Sequence, residues 1–311
     1  MNFNFYFTGV DTKSEMFKYL VENYGYLLYS QLNDRRNIMN TIEYMKEHPN
    51  SNIKLFIDSG AYSAWSLGKK IDVEEYINFL NEYSDYFEVF ACVDKLPGTP
   101  QTVTKLSHEE VEESARLSWE NYLYMRPKVR EPDKLLYTFH SNESFEHLIT
   151  ALTYEDEHGR LKRMATGGTA SIERSDRKNF FDKVYKILDE IPNEIKDIHA
   201  FGVSDFKLME NYKATSSDST TWVRSASFGQ IMINNKVYTV SDRKEDSGEN
   251  EDQKSFSHYE SLKNAVEKRG FTIQELKTDV NKRKLFNIMD TIQTVTSLTY
   301  KPQKTSKVNL F

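Results

Sequence analysis

The stretch Ile53-Lys54-Leu55-Phe56-Ile57-Asp58-Ser59-Gly60 gives the first indication of the fold. An apolar run of strand length ends here in a carboxylate, a hydroxyl and a glycine. Such a run is typical of a strand in a parallel sheet, which is buried on both faces. An amphipathic helical pattern follows at about 73–84. The two together predict a β-α unit, and similar units recur along the chain.

Eight candidate strands share this character, at 3–7, 26–29, 53–57, 88–93, 135–139, 163–165, 198–203 and 214–217. Helical patterns separate most of them, at roughly 13–23, 33–47, 73–84, 108–125, 143–152, 174–189 and 205–211. Eight strands that alternate with helices predict a (β/α)8 TIM barrel of the α/β class. A doubly wound open sheet is the alternative.

The pattern changes after the eighth strand, which predicts three parts. Residues 1–225 form the barrel, residues 226–256 a β-hairpin and an acidic mobile loop, and residues 257–311 a helical segment with a basic tail. Asn234-Asn235 is the expected hairpin turn. The loop at 241–255 carries six acidic and three basic residues, a composition that disfavours a packed core.

Composition narrows the classes of function. Cys92 is the only cysteine among 311 residues, which excludes an internal disulfide and a zinc site made of several thiolates. We therefore predict no metal and no other cofactor. The chain shows no signal peptide and no apolar run near the ~20 residues of a membrane span. We expect a soluble, cytoplasmic protein without a membrane partner, whose net charge of −6 restricts phosphate contacts to local basic regions.

Three aspartates are expected at one rim of the barrel, because each follows a predicted strand: Asp58, Asp94 and Asp218. Residues just past the carboxyl ends of barrel strands line TIM-barrel active sites. Each motif also has a structural interpretation, as an N-cap or a capping loop. Two facing carboxylates support displacement at an anomeric carbon, in which one forms a glycosyl ester and the other protonates the leaving group.

These residues, taken in order, resemble those of a known family. The chain is similar to the tRNA-guanine transglycosylases, and more closely to their phage-type relatives that place 7-deazaguanine bases in DNA. The similarity covers most of residues 50–225. It rests on the element Asp58-Ser59-Gly60-Ala61-Tyr62, on Asp94, on Gly167-Gly168, on the strand at 199–204 and on Asp218.

The resemblance implies both a reaction and the role of each residue. Asp218 would be the nucleophile and Asp58 the general acid/base, while Tyr62 stacks on the base, Asp94 reads its edge and Gly168 donates a backbone N–H. The partners would be a nucleic acid and a free guanine or 7-deazaguanine base. Further rim positions complete the predicted binding set, namely Ser59, Gly60, His140, Gly167, Ser217 and Trp222. His140 and Trp222 also have structural interpretations, as a histidine at a strand end and as a core tryptophan.

Two departures from the family pattern bear on the substrate. Ala61 replaces a glycine, and no cluster of three cysteines and a histidine follows Asp218. Since that zinc module helps hold tRNA in the family, its absence favours DNA. Phosphate contacts are expected from basic residues at the rim, Arg126, Lys128 and Arg130, or from Lys282, Arg283 and Lys284.

Two other functions fit the same sequence. With water as the acceptor, the aspartate pair would make a nucleoside or nucleic-acid N-glycosidase. A barrel without catalytic activity that binds nucleic acid or protein belongs to a different class, and it predicts that Asp58 and Asp218 lie far apart or pair with arginines. The sequence contains neither a dinucleotide-binding nor a P-loop motif.

Overall fold

The computed structural model describes residues 3–99, 106–169, 172–241 and 260–301. Eight parallel strands close into a barrel in the order β1-β10-β9-β8-β5-β4-β3-β2. These strands are β1 (Asn4–Phe7), β2 (Tyr26–Ser30), β3 (Lys54–Asp58), β4 (Phe87–Ala91), β5 (Leu135–His140), β8 (Arg163–Gly167), β9 (Asp197–Ala200) and β10 (Ser216–Ser219). The (β/α)8 prediction is confirmed, and the open sheet is wrong because β1 pairs with both β2 and β10.

Helices surround the barrel and pack on the outward faces of its strands. They are α1 (Glu15–Asn23), α2 (Gln31–Glu47), α3 (Ala61–Ser66), α4 (Val73–Tyr83), α5 (His108–Met125), α6 (Phe145–Thr153), α7 (Arg174–Glu190), α8 (Phe206–Met209) and α9 (Thr221–Ser227). A short hairpin, β6 (Glu155–Asp156) and β7 (Gly159–Arg160), precedes β8. Several helices begin at side-chain caps, such as Ser107, which forms a capping box with Glu110 ahead of α5.

Two apolar layers hold the barrel together. The larger lies between strands and helices, and the smaller fills the barrel interior around Tyr6, Phe56 and Ala165. Because side chains alternate along a strand, residues two positions beyond an interior residue also point inward. This period places Asp58, two residues after Phe56, at the inner carboxyl end of β3.

The eighth strand starts later than the sequence predicts. β10 covers Ser216–Ser219 and pairs with β1 in a register that sets Tyr6 opposite Asp218. Asp218 therefore lies within the strand, not just past it. Similarly, β9 ends at Ala200, and the chain turns at Phe201-Gly202.

The region after the barrel contains the predicted hairpin, β11 (Gln230–Ile233) and β12 (Lys236–Thr239). Asn234 and Asn235 form its turn with φ of 52° and 60°, as a type I′ turn requires. The expected continuous helix is instead α10 (Glu260–Glu267), α11 (Ile273–Thr278) and α12 (Val280–Thr296). The hairpin and these helices share an apolar cluster that includes Ile231 and Phe286.

The predicted acidic loop falls mostly on residues 242–259, and the basic tail ends in residues 302–311; both stretches lie outside the described residues. None of the described helices combines the length and the apolar character that a membrane span requires.

Candidate active site

Asp58 and Asp218 both lie at the carboxyl end of the barrel, close enough for the charge of Asp218 to act on Asp58. Asp218 accepts a hydrogen bond from His199, whose ring packs against Phe56 with centroids 4.8 Å apart. Phe56 lies two residues before Asp58 on the same face of β3. The charges of Asp94 and Asp218 both raise the pKa of Asp58. All three predicted aspartates therefore contribute to one electrostatic environment at the carboxyl end of the barrel.

Asp218 is held by two donors that end on the same oxygen. The Gly202 N–H lies 2.9 Å from its Oδ1, and His199 Nε2 lies 3.2 Å from that atom. Gly202 has a φ of +69°, a conformation that glycine adopts without strain. Within the described residues, both of these hydrogen bonds end on Oδ1 of Asp218, and neither involves Oδ2.

His199 is the main site residue that the sequence analysis missed. It is 2% exposed, and its Nδ1 lies 2.9 Å from Ser216 Oγ. Its Nε2 faces Asp218, whose carboxylate oxygen accepts the hydrogen bond. The only signal in the sequence was a histidine inside an apolar strand, which usually indicates a core residue.

Asp58 combines burial with a short loop that holds its carboxylate. Burial raises the pKa of Asp58 to about 7, Asp94 and Asp218 raise it as well, and the Gly60 N–H opposes the shift. That N–H donates to Oδ2 at 3.0 Å. Gly60 has a φ of +85°, and a Cβ there would lie 2.6 Å from Ser30 Oγ. With a pKa near neutrality, Asp58 has the proton affinity that suits a general acid and base.

Asp94 belongs to a buried charged cluster with His140 and Glu143. His140 Nδ1 lies 2.8 Å from Glu143 Oε1, and Nε2 lies 3.5 Å from Asp94 Oδ2. Burial opposes the charged imidazolium, but the hydrogen bond and charge of Glu143, together with Asp94, raise the pKa of His140 to about 9. Burial raises the pKa of Asp94 to about 6, against the attraction of His140. At neutral pH, His140 is therefore a cation and Asp94 is mostly a carboxylate.

The Gly167-Gly168 loop fits closely against this cluster. A Cβ at Gly167 would lie 2.6 Å from His140 Cδ2, so a side chain there would displace the imidazole. Gly168 has a φ of +71°, and its carbonyl accepts a hydrogen bond from Ser141 Oγ at 3.2 Å. The structure thus places the predicted glycine loop beside His140.

The remaining predicted binding residues divide into two groups. Tyr62 is 68% exposed at the start of α3, and Ser59 is buried beside Asp58. Ser217 is fully buried between two inward residues of β10, so its side chain faces the helix layer. Trp222 is 2% exposed and donates its indole N–H to the Thr8 carbonyl at 3.1 Å. Neither side chain is thus exposed at the rim, and Trp222 lies in the apolar core.

The predicted phosphate contacts are also corrected by the structure. The segment that follows α5 leads into the start of β5, at the end of the barrel opposite the aspartates. There Arg126 is 1% exposed and pairs with Asp156 at 2.8 Å. Arg130 pairs with Asp85 at 2.5 Å, and Lys128 pairs with Glu74.

The second predicted basic group fails at its central residue. Arg283 is 6% exposed, and it donates to the carbonyls of Ala226 and Leu276 at 2.7 and 2.9 Å. These bonds join α12 to α9 and α11, which is a structural role. Lys282 and Lys284, on either side, remain partly exposed.

The described residues contain no group of three or more His, Cys, Asp or Glu side chains arranged to hold a metal ion. Comparison with protein-family models gave no match. Comparison with curated proteins likewise gave no match.

Proposed function

We propose that this protein is a base-exchange glycosyltransferase, which replaces guanine in a nucleic acid with a 7-deazaguanine derivative. DNA is favoured over tRNA as the polymer. The observation that carries the proposal is the contrast between two inward carboxylates of one barrel. Burial raises the pKa of Asp58 to about 7, whereas Asp218 is oriented by two donors on Oδ1. Retaining glycosyl transfer assigns different roles to two such groups.

In the first step, Asp218 attacks C1′ of the target nucleotide and the bond from C1′ to the base breaks. Asp58 in its acid form gives its proton to the departing base. In the second step, Asp58 takes a proton from the incoming base, whose nitrogen attacks C1′. The ester bond breaks and the Asp218 carboxylate is restored, so no cofactor is needed for balance.

The cluster around Asp94 is suited to reading the edge of the base. As a carboxylate, Asp94 accepts hydrogen bonds from the N1–H and the exocyclic amine of a guanine-like ring. The charged His140 keeps Asp94 ionised near neutrality, and Glu143 keeps His140 charged. Tyr62, exposed at the mouth of the barrel, can stack on the ring. In duplex DNA the target nucleotide must first leave the base stack.

The alternative of a barrel without catalytic activity predicts that arginines neutralise the aspartates. Among the described residues, the hydrogen-bond partners of Asp218 are His199 and Gly202, and Asp58 accepts from Gly60. These contacts favour the enzyme. An N-glycosidase would use the same two aspartates, and only the acceptor would differ.

Incorporation of a labelled base tests the proposal. The protein is incubated with DNA or tRNA and labelled guanine, and the label in the polymer is counted with and without a competing 7-deazaguanine. Exchange puts label into one polymer. Release of guanine without incorporation indicates the N-glycosidase. If no polymer shows either incorporation or release, the proposal is overturned.

A further inference from the structure

The surface beside Asp58 carries an unusual set of five side chains, of which four are exposed and one, Trp65, is half-buried. We define the α3 rim patch as Tyr62, Trp65, Leu67, Lys69 and Lys70. Tyr62 is 68% and Leu67 is 61% exposed, and both belong to the small group of large hydrophobic residues that are exposed in the described chain. The patch starts four residues after Asp58 and lies in the connection from β3 to α4, at the candidate site's end of the barrel.

The aromatic part of the patch is rigidly placed. Trp65 donates its indole N–H to the carbonyls of Gly98 and Pro97 at 2.9 and 3.2 Å. These bonds tie α3 to the loop that follows β4. The rings of Tyr62 and Trp65 lie 5.7 Å apart at an angle of 39°. Trp65, held by these bonds, and the neighbouring Tyr62 therefore form an aromatic surface at the mouth of the barrel.

The basic part of the patch is ordered by the end of α3. Gly68 has a φ of +63°, and the Lys69 N–H donates to the Ala64 carbonyl at 2.7 Å, as at a glycine-terminated helix. Many lysines of this chain pair with carboxylates, for example Lys54 with Glu88. Within the described residues, Lys69 and Lys70 make no such ion pair, and both are exposed.

This combination fits single-stranded nucleic acid better than a protein. Bases stack on aromatic side chains, while lysines attract the phosphates between them. Protein interfaces are depleted in lysine at their cores. The chain has a net charge of −6, so attraction of a polyanion must come from a local basic surface.

We propose that the α3 rim patch binds the single-stranded nucleotides that flank the target nucleotide, by stacking on Trp65, beside the Tyr62 that meets the target base, and by phosphate contacts to Lys69 and Lys70. This inference rests on the proposed function, because only a transferase has a target nucleotide. Binding itself requires no chemistry and is measured separately.

The test uses the full chain carrying Asp218→Asn, so that no covalent turnover occurs. Binding of a labelled single-stranded DNA or RNA of about 15 nucleotides is followed by fluorescence anisotropy. The double variant Lys69→Glu/Lys70→Glu is compared with the control Lys46→Glu/Lys196→Glu. The control makes the same charge change at two exposed positions near the opposite end of the barrel.

We expect the patch variant to bind at least about tenfold more weakly. The slope of log K against log salt should also become shallower by about 1.4, because two phosphate contacts are lost. The control should stay within about twofold of the parent protein. Equal affinity of the two double variants would overturn the proposal. So would a failure of every oligonucleotide to bind, which would point to a protein partner.

Tryptophan fluorescence gives a second readout, one that a purely structural role of Trp65 would not produce. Trp222 is buried, and Trp119 stacks on Tyr122 with centroids 5.3 Å apart. An oligonucleotide that stacks on Trp65 should quench the emission of the parent protein and not that of Trp65→Phe. Quenching that persists in Trp65→Phe would contradict the proposal.

The outcomes also separate this surface from the proposed function. If the binding results hold but no polymer incorporates a labelled base, the surface stands and the transferase proposal fails. If bases are exchanged and Lys69→Glu/Lys70→Glu leaves the KM for the polymer unchanged, the transferase stands and the patch is wrong.

Discussion

His199 Nε2 lies 3.2 Å from Oδ1 of Asp218, and the same ring meets Ser216 through Nδ1 at 2.9 Å. The imidazole is buried among Tyr6, Phe56 and Phe201, so it has little freedom to turn. Asp218 is therefore oriented by a histidine that a serine holds through its other ring nitrogen. We regard His199 as a positioning residue for Asp218, the proposed nucleophile.

Replacing His199 with phenylalanine should preserve the packing and remove the donor. We expect covalent adduct formation to slow by about 10- to 100-fold, because misplacement of a reacting group by a fraction of an ångström has effects of that size. His199→Gln, which keeps an N–H donor, should recover part of the rate. The KM for the free base should change little. Full activity of His199→Phe would show that the histidine does not position Asp218.

The stability of the fold should depend on pH because the carboxylate of Asp58 is charged in a buried position. Its pKa in the folded chain is about 7, against an ordinary value of 3.8. Between these pH values the folded state holds a proton that the unfolded state has lost, so stability falls as pH rises and the penalty is complete above about 7. Asp58→Asn should therefore raise the melting temperature by several degrees at about pH 8 and change it little below about pH 4. If Asp58→Asn does not melt at a higher temperature than the wild type at about pH 8, the charge of Asp58 is not buried.

The rate of adduct formation should depend on pH with two limits. The first step needs Asp58 protonated and Asp94 ionised, and their pKa values are about 7 and about 6. The rate should therefore decline as pH rises through about 7, where the acid is lost, and decline as pH falls through about 6, where base reading is lost. Single-turnover trapping across pH measures this profile. A rate that increases steadily above pH 7 would exclude Asp58 as the acid.

Glu143 should control the charge of His140. Glu143→Gln keeps a hydrogen-bond acceptor but removes the negative charge 2.8 Å from Nδ1. Burial lowers the pKa of His140, and without the charge of Glu143 less remains to raise it. The pKa should therefore fall from about 9 by at least about one unit. NMR titration of the histidine ring protons measures the shift. The half-buried pair His147 and Glu112 offers a control, since Glu143→Gln should leave the ring-proton signals of His147 unchanged.

The barrel could be predicted because its strands are apolar runs at regular spacing, and helices with clear caps lie between them. The start of β10 could not, because Ser216–Ser219 is a polar run that forms a strand only through pairing with β1 and β9. Tertiary pairing overrides local propensity at such a strand.

The candidate site was predictable in part, for similar reasons. Carboxylates and glycines after apolar runs indicate a barrel rim, so the placement of Asp58, Asp94 and Gly167 at the ends of strands could be predicted. His199 was missed, since a histidine in an apolar strand carries no pattern that separates a core residue from a site residue. Arg126 was wrongly assigned to the rim, because it follows the predicted helix at 108–125 and the chain there leads to the start of β5, at the other end of the barrel.

The central claim is that Asp218 becomes covalently bound to a nucleotide with Asp58 as proton donor, and trapping on a denaturing gel tests it most directly. The wild type is compared with Asp218→Asn, Asp58→Asn and the control Asp72→Asn, which changes an exposed cap of α4. We predict an adduct for wild type and Asp72→Asn, none for Asp218→Asn, and an adduct formed about 10²- to 10⁴-fold more slowly for Asp58→Asn. An adduct that forms normally with Asp218→Asn would contradict the account.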